Sequence, residues 1–143
     1  MSGNWRLSYT TATLSSGAEE IRREEDIPCT LSEDDTGIRV RYEEAGDAEA
    51  PVSCILTVCT TEGKEGDRIR FERRGEIRSF FLFSCGGCEP LELETPYGRM
   101  TLETETRELE IKKNRQQIEV KIRYRIYDAI DEEHLLVFRI LKE

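Results

Sequence analysis

The amino-acid sequence predicts an all-β fold, a closed antiparallel up-and-down barrel of eight to ten strands, on three observations. Apolar residues recur at every second position in one segment after another. The breaks between segments are short and rich in glycine. Charged residues, at 36%, are nearly as plentiful as hydrophobic ones, at 37%. The third follows from the first, because a strand that buries one face carries a polar residue for nearly every apolar one.

The clearest segment is 118–126, where Ile118, Val120, Ile122, Tyr124 and Ile126 alternate with Glu119, Lys121, Arg123 and Arg125. A side-chain period of two sets the apolar residues on one face of a strand roughly 30 Å long; a helix would scatter them around its axis. Taken along the chain, the same pattern sets Trp5, Leu7 and Tyr9 against Arg6 and Ser8, and Ile38, Val40 and Tyr42 against Arg39 and Arg41. It continues with Ile69 and Phe71, with Met100, Leu102, Thr104 and Thr106, and with Leu136, Phe138 and Ile140. Segments 52–61 and 77–85 are apolar on both faces and are expected to lie beneath another element. Residues 18–25 are good helix formers, but Ile21 is their only substantial apolar side chain. A helix there would have no face to bury, so a strand is expected.

The punctuation suits hairpins. Asp34-Asp35-Thr36-Gly37 and Thr95-Pro96-Tyr97-Gly98 read as β-turns. Arg73-Arg74-Gly75 reads as a three-residue hairpin with glycine in the left-handed region, and Gly86-Gly87 as a two-residue hairpin. Residues 45–51 form a small polar loop. Long strands joined by tight hairpins pair neighbour to neighbour, and closure removes the edges such a sheet would otherwise expose. A sandwich is the alternative.

Composition narrows the partners. A length of 143 residues suits a single domain spanning 1–143. A net charge of −9 repels phosphate backbones and anionic lipid. The arginines at 68, 70, 73, 74 and 78 interleave with Glu65, Asp67, Glu72 and Glu76 and read as a mixed-sign strand surface. No nucleic-acid or membrane partner is expected. The start of the sequence lacks a secretory pattern, and no apolar run approaches the roughly 18 residues of a membrane span. The expected location is the cytoplasm, where the five cysteines at 29, 54, 59, 85 and 88 would not form a disulfide framework.

No constellation rises to an active site. Cys85-Gly86-Gly87-Cys88 could hold zinc only with a second ligand pair. Cys54 and Cys59, five positions apart, face opposite sides of a strand. Free thiols are the favoured reading at 85 and 88, ahead of a labile disulfide or a metal. His134, the only histidine, sits in the acidic run Asp131-Glu132-Glu133 and is expected to be solvated. Asp128, Asp131, Glu132 and Glu133 lack the spacing of a calcium loop. Glu103 and Glu105 should point outward. No metal or cofactor is expected, and enzyme chemistry has no positive feature in its favour.

The stretch 73–140 resembles the YwiB-like family of uncharacterised bacterial β-barrel proteins. The residues that carry this are Arg73-Arg74-Gly75, Phe81 and Phe83, Thr95-Pro96-Tyr97-Gly98, the Met100 to Thr106 alternation with Leu109, and the 118–126 strand. The resemblance implies a lipocalin-like (calycin) barrel and no particular activity. Gly3-Asn4-Trp5 also matches the short Gly-x-Trp pattern that opens many lipocalins. In lipocalins that tryptophan packs near a late-strand arginine; Arg139, the counterpart here, alternates with Phe138 and Ile140 and so faces away from the interior.

A barrel this narrow either fills itself with side chains or holds one small ligand. Trp5 and the ring-bearing residues point inward. The candidate ligand-binding residues are Tyr9, Tyr42, Phe71, Arg73, Phe81, Tyr124 and Phe138. Inward tyrosines are the suggestive part, because a buried hydroxyl needs a partner that a ligand could supply. The expected function is non-catalytic binding of a small, mostly apolar ligand. The alternative is a structural or regulatory module with a filled barrel, engaging a protein partner or a second copy through 80–83 and the apolar residues around Ile55.

Overall fold

Ten strands follow one another in the computed structural model: β1 (Trp5–Ser15), β2 (Ala18–Asp34), β3 (Gly37–Glu44), β4 (Val52–Cys59), β5 (Arg68–Arg74), β6 (Arg78–Ser84), β7 (Cys88–Thr95), β8 (Gly98–Lys113), β9 (Gln117–Ile126) and β10 (Glu133–Lys142). The structure describes residues 5–15, 17–35, 37–44, 52–59, 67–127 and 132–143. The 45–51 loop, Thr60, Thr61, Glu65, Gly3, Asn4, Thr36, Asp128 and Asp131 lie outside these. Each strand pairs antiparallel with its neighbours in sequence, and β1 pairs with β10 to close the ring.

Parity decides which side chains go inside. In β9, Ile118, Val120, Ile122 and Tyr124 are buried, and their β10 partners Ile140, Phe138 and Leu136 share the face. Leu7, Val40, Leu56, Ile69 and Phe83 meet them from the other strands to form the core. Burial of each such side chain contributes about 1.5–3 kcal/mol. Arg139 faces outward beside Glu119 at 3.9 Å, as its parity requires.

Two bulges shift that parity. In β8 the register slips at Arg107, so the inward set passes from Thr104 and Thr106 to Leu109 and Ile111. In β2, Glu25 and Asp26 together stand opposite Ser8, and Asp26 takes a φ of 55°. β2 reaches β3 only through residues 29–34. Its exposed first half is a strand rather than a helix, held by β1 alone among the described residues.

Four expectations need correction. The hairpin between β5 and β6 turns at Gly75, Glu76 and Ile77, two residues beyond Arg73-Arg74-Gly75, because Arg74 still pairs with Arg78; Gly75 does not take a positive φ. The β6–β7 turn centres on Cys85 and Gly86, with the Gly87 amide donating to Ser84 O at 3.0 Å and Gly86 alone at positive φ (68°). Finally, nothing among the described residues covers the outer face of β4 and β6. Met100, read as an inward residue, is half exposed at the start of β8.

Gly37 is required where it stands. Its φ is 144°, and a Cβ there would collide with the Val58 carbonyl oxygen across the β3–β4 ladder.

Candidate binding site at one barrel mouth

Inward positions change character toward one end of the barrel. β5 runs Ile69, Phe71, Arg73; β3 runs Val40, Tyr42, Glu44; β10, read backward, runs Ile140, Phe138, Leu136, His134. These ends enclose a cavity of about 210 Å³ lined by Tyr9, Phe71, Arg73, Phe81, Tyr124 and Phe138, with Arg22, Glu44 and His134 at its polar side. Six of the seven candidate residues therefore meet around one space. Tyr42 stands beside it, its ring centroid 6.4 Å from that of Tyr9.

The wall is aromatic. Phe71 meets Phe138 edge-on at 5.2 Å and Phe81 at 6.1 Å. Phe81 meets Tyr124 edge-on at 5.8 Å, and Tyr124 stacks on His134 at 5.0 Å. Edge-on and offset geometries suit the positive rim and negative face of each ring.

The polar side is paired in part. Arg73 Nη2 donates to Glu44 Oε2 at 2.7 Å, and Arg22 Nη2 donates to Glu24 Oε1 at 3.2 Å. Burial works against the Arg73 charge, but the Glu44 carboxylate overrides it and the guanidinium pKa moves upward. Tyr9 and Tyr42 are each 4% exposed, yet neither hydroxyl reaches a hydrogen-bond partner; nor do Arg73 Nε and His134 Nε2, the latter 3.6 Å from Glu132 Oε2. Burial, reinforced at Tyr9 by the Glu44 carboxylate and at Tyr42 by the Cys54 thiol, raises both tyrosine pKa values, so these hydroxyls keep their protons. Burial likewise raises Tyr124 and pushes the Cys54 thiol up to about 12.

His134 is the main departure from expectation. It is only 17% exposed in its side chain, it approaches Thr13 Oγ1 through Nδ1 at 3.3 Å, and it lines the cavity. Burial lowers its pKa against the opposing pull of Glu132. Its parity with Leu136, Phe138 and Ile140 was the available signal, as was that of Glu44 with Ile38, Val40 and Tyr42. Arg73 likewise leaves the mixed-sign surface and points inward. Arg22 was hidden because the β2 bulge resets parity between it and the core.

A second, larger hollow of about 480 Å³ lies on the outside. The registers define it as two cross-strand rows: Arg39, Thr57, Arg70 and Leu82; then Arg41, Ile55, Glu72, Phe80 and Glu92. The β6–β7 ladder extends only from Arg78 to Phe80, and Pro90, which has no N–H to give, stands where the partner of Leu82 would be. Phe71 and Phe81 line this hollow as well as the mouth cavity.

Cys85 and Cys88 are exposed, and Cys88 Sγ lies 3.6 Å from the Tyr127 hydroxyl. Cys54 is buried on the inner face, whereas Cys59 lies on the opposite parity. No group of three or more potential metal ligands occurs among the described residues.

Fold and site together define a ten-stranded meander barrel, lipocalin-like in plan, with its core filled at one end and a small amphipathic cavity at the other. The family model described as "Domain of unknown function (DUF1934)" matches residues 8–136, and the chain belongs to that family. No curated protein matches it. Among solved structures, the crystal structure of ywiB protein from Bacillus subtilis is similar with a TM-score of 0.81 at 15% identity, covering 99% of this chain and 93% of that one. At that identity the likeness is one of fold.

Proposed function

We propose that this protein is a non-catalytic binding module that takes one small, mostly apolar molecule into the barrel mouth. The observation that carries this reading is the pair of buried, unpartnered hydroxyls on Tyr9 and Tyr42 beside a wall of phenylalanines. A polar group removed from water without a partner costs about 1–3 kcal/mol, and a ligand that supplies the partner recovers that cost. Size limits the candidates. An apolar cavity of about 150 Å³ holds benzene, so about 210 Å³ accommodates one ring and a few further atoms. Long-chain fatty acids, flavins and tetrapyrroles are too large to be enclosed.

A thermal-shift screen with single-ring aromatic fragments at millimolar concentration tests this. A fragment seated in the mouth raises the melting temperature by mass action, and amide resonances of β1, β5 and β9 near Tyr9, Phe71 and Tyr124 shift with it. Absence of any stabilising fragment, or shifts confined to the outer face, removes the reading.

The outer hollow supports a second reading, a protein-interaction module. Ile55, Phe80, Leu82 and Pro90 give it an apolar floor, and Arg39, Arg41 and Arg70 border it together with Glu72 and Glu92. Size-exclusion chromatography with light scattering, together with affinity capture, checks it; a monomer without a specific partner, unaffected by Phe80→Ser, counts against it.

A further inference from the structure

We infer that the mouth site selects an uncharged aromatic ligand with a hydrogen-bond acceptor, in preference to an anion or cation of the same shape. This rests on reading the mouth cavity as a ligand site. Its basis is the state of the polar groups already there.

The formal charges at the polar side cancel internally: Arg73 is satisfied by Glu44 at 2.7 Å, and Arg22 by Glu24 at 3.2 Å. A ligand carboxylate would approach two arginines already committed to carboxylates and would meet the Glu44 charge directly. A ligand cation would meet Arg22 and Arg73. Either ion would lose hydration without gaining a free countercharge, and that loss is several kcal/mol per buried ion before compensation.

What the site has left over is neutral or directional. The Tyr9 hydroxyl and the Arg73 Nε–H line the cavity and have hydrogens to donate but no acceptor within hydrogen-bond distance. His134 Nε2 donates or accepts according to its tautomer. A carbonyl oxygen is the acceptor that answers these donors without adding charge. The rest of the cavity, formed by Phe71, Phe81, Phe138 and the Tyr124 ring, presents faces and edges that pack best on another flat ring. An aromatic amide or ketone meets both requirements.

The experiment is a titration at pH 7.5, followed by calorimetry and amide chemical shifts, with three probes of near-equal shape, benzamide, benzoate and benzamidinium, and the smaller, wholly apolar toluene. Benzamide is expected to bind about tenfold tighter than either ion and about fivefold to tenfold tighter than toluene, the range one or two net hydrogen bonds supply. Tyr9→Phe is expected to lose most of the advantage over toluene while leaving toluene binding unchanged, which separates a lost hydrogen bond from a misfolded mouth. Equal or tighter binding of benzoate or benzamidinium overturns the charge argument. Equal binding of toluene overturns the hydrogen-bond argument. If none of the four perturbs mouth resonances, the reading of the cavity as a ligand site falls, and this inference falls with it.

Discussion

The two ends of the barrel are made by the same strands, and one step of two residues along each strand separates them. Toward the filled end the inward positions are Leu7, Val40, Leu56, Ile69, Phe83, Val120, Ile122 and Ile140, all essentially without solvent contact. One step further, Leu7 gives way to Tyr9, Val40 to Tyr42, Ile69 to Phe71 and then Arg73, and Ile122 to Tyr124. The filled end is therefore held by close packing, where lost atoms leave a void. The mouth combines an aromatic wall with two ion pairs, Arg73–Glu44 and Arg22–Glu24, and it tolerates polar groups that a solid core would reject. On the proposed reading, stability and binding fall to opposite ends of the same strands.

Removing packing at the filled end should have the largest effect. Phe83→Ala is expected to destabilise by about 3–5 kcal/mol in urea unfolding, because a fully buried ring leaves a cavity that ten paired strands cannot collapse around. A mouth substitution of similar size, Phe81→Ala, should cost visibly less, since Phe81 already borders open space.

Next comes the ion pair, whose two halves are unequally exposed: 38% for the Arg73 side chain and 6% for that of Glu44. Arg73→Met strands a buried carboxylate and should cost about 3 kcal/mol. Glu44→Gln leaves an arginine that can turn toward water and should cost about 1 kcal/mol. Equal costs in chemical denaturation would mean that the two groups are equally solvated.

The pH dependence of the mouth is smaller and has a definite sign. Burial holds His134 below its ordinary value of about 6.5, so the unfolded chain takes up the proton first. The stability this contributes is present above pH 6.5 and is lost as pH falls through that value toward the folded pKa. Melting temperatures of the wild type should therefore decline on acidification from pH 7.5 to 5.5, and His134→Gln should decline less. Parallel curves would place His134 in water.

Smallest is the effect of deleting the unpartnered hydroxyls. Tyr9→Phe and Tyr42→Phe should each leave stability within about 0.5 kcal/mol of the wild type or raise it, since neither loses a protein hydrogen bond. A loss above 1 kcal/mol would show that each hydroxyl already has a bound partner in solution.

Alternation made the barrel legible in the sequence: the strand at 118–126, the inward tyrosines and phenylalanines, and the meander order all follow from a period of two and short turns. The bulges were not legible, because an extra residue such as Arg107 looks like any other charged position until the partner strand fixes the register. The same uncertainty displaced the β5–β6 turn by two residues. His134 was misjudged for another reason, and Glu44 passed unremarked. Polarity suggested water, whereas parity, which governs strands, placed them inside.

The direct pairing of β1 with β10 sets Trp5 opposite Lys142. A ring of neighbour-paired strands has no privileged first member, so the order in which its strands are synthesised is interchangeable. Joining the two ends through a short glycine-serine bridge and opening the chain at Cys85 and Gly86 would yield a circular permutant with every strand ladder retained. In that permutant the new ends would flank the stretch where the β6–β7 ladder is already interrupted.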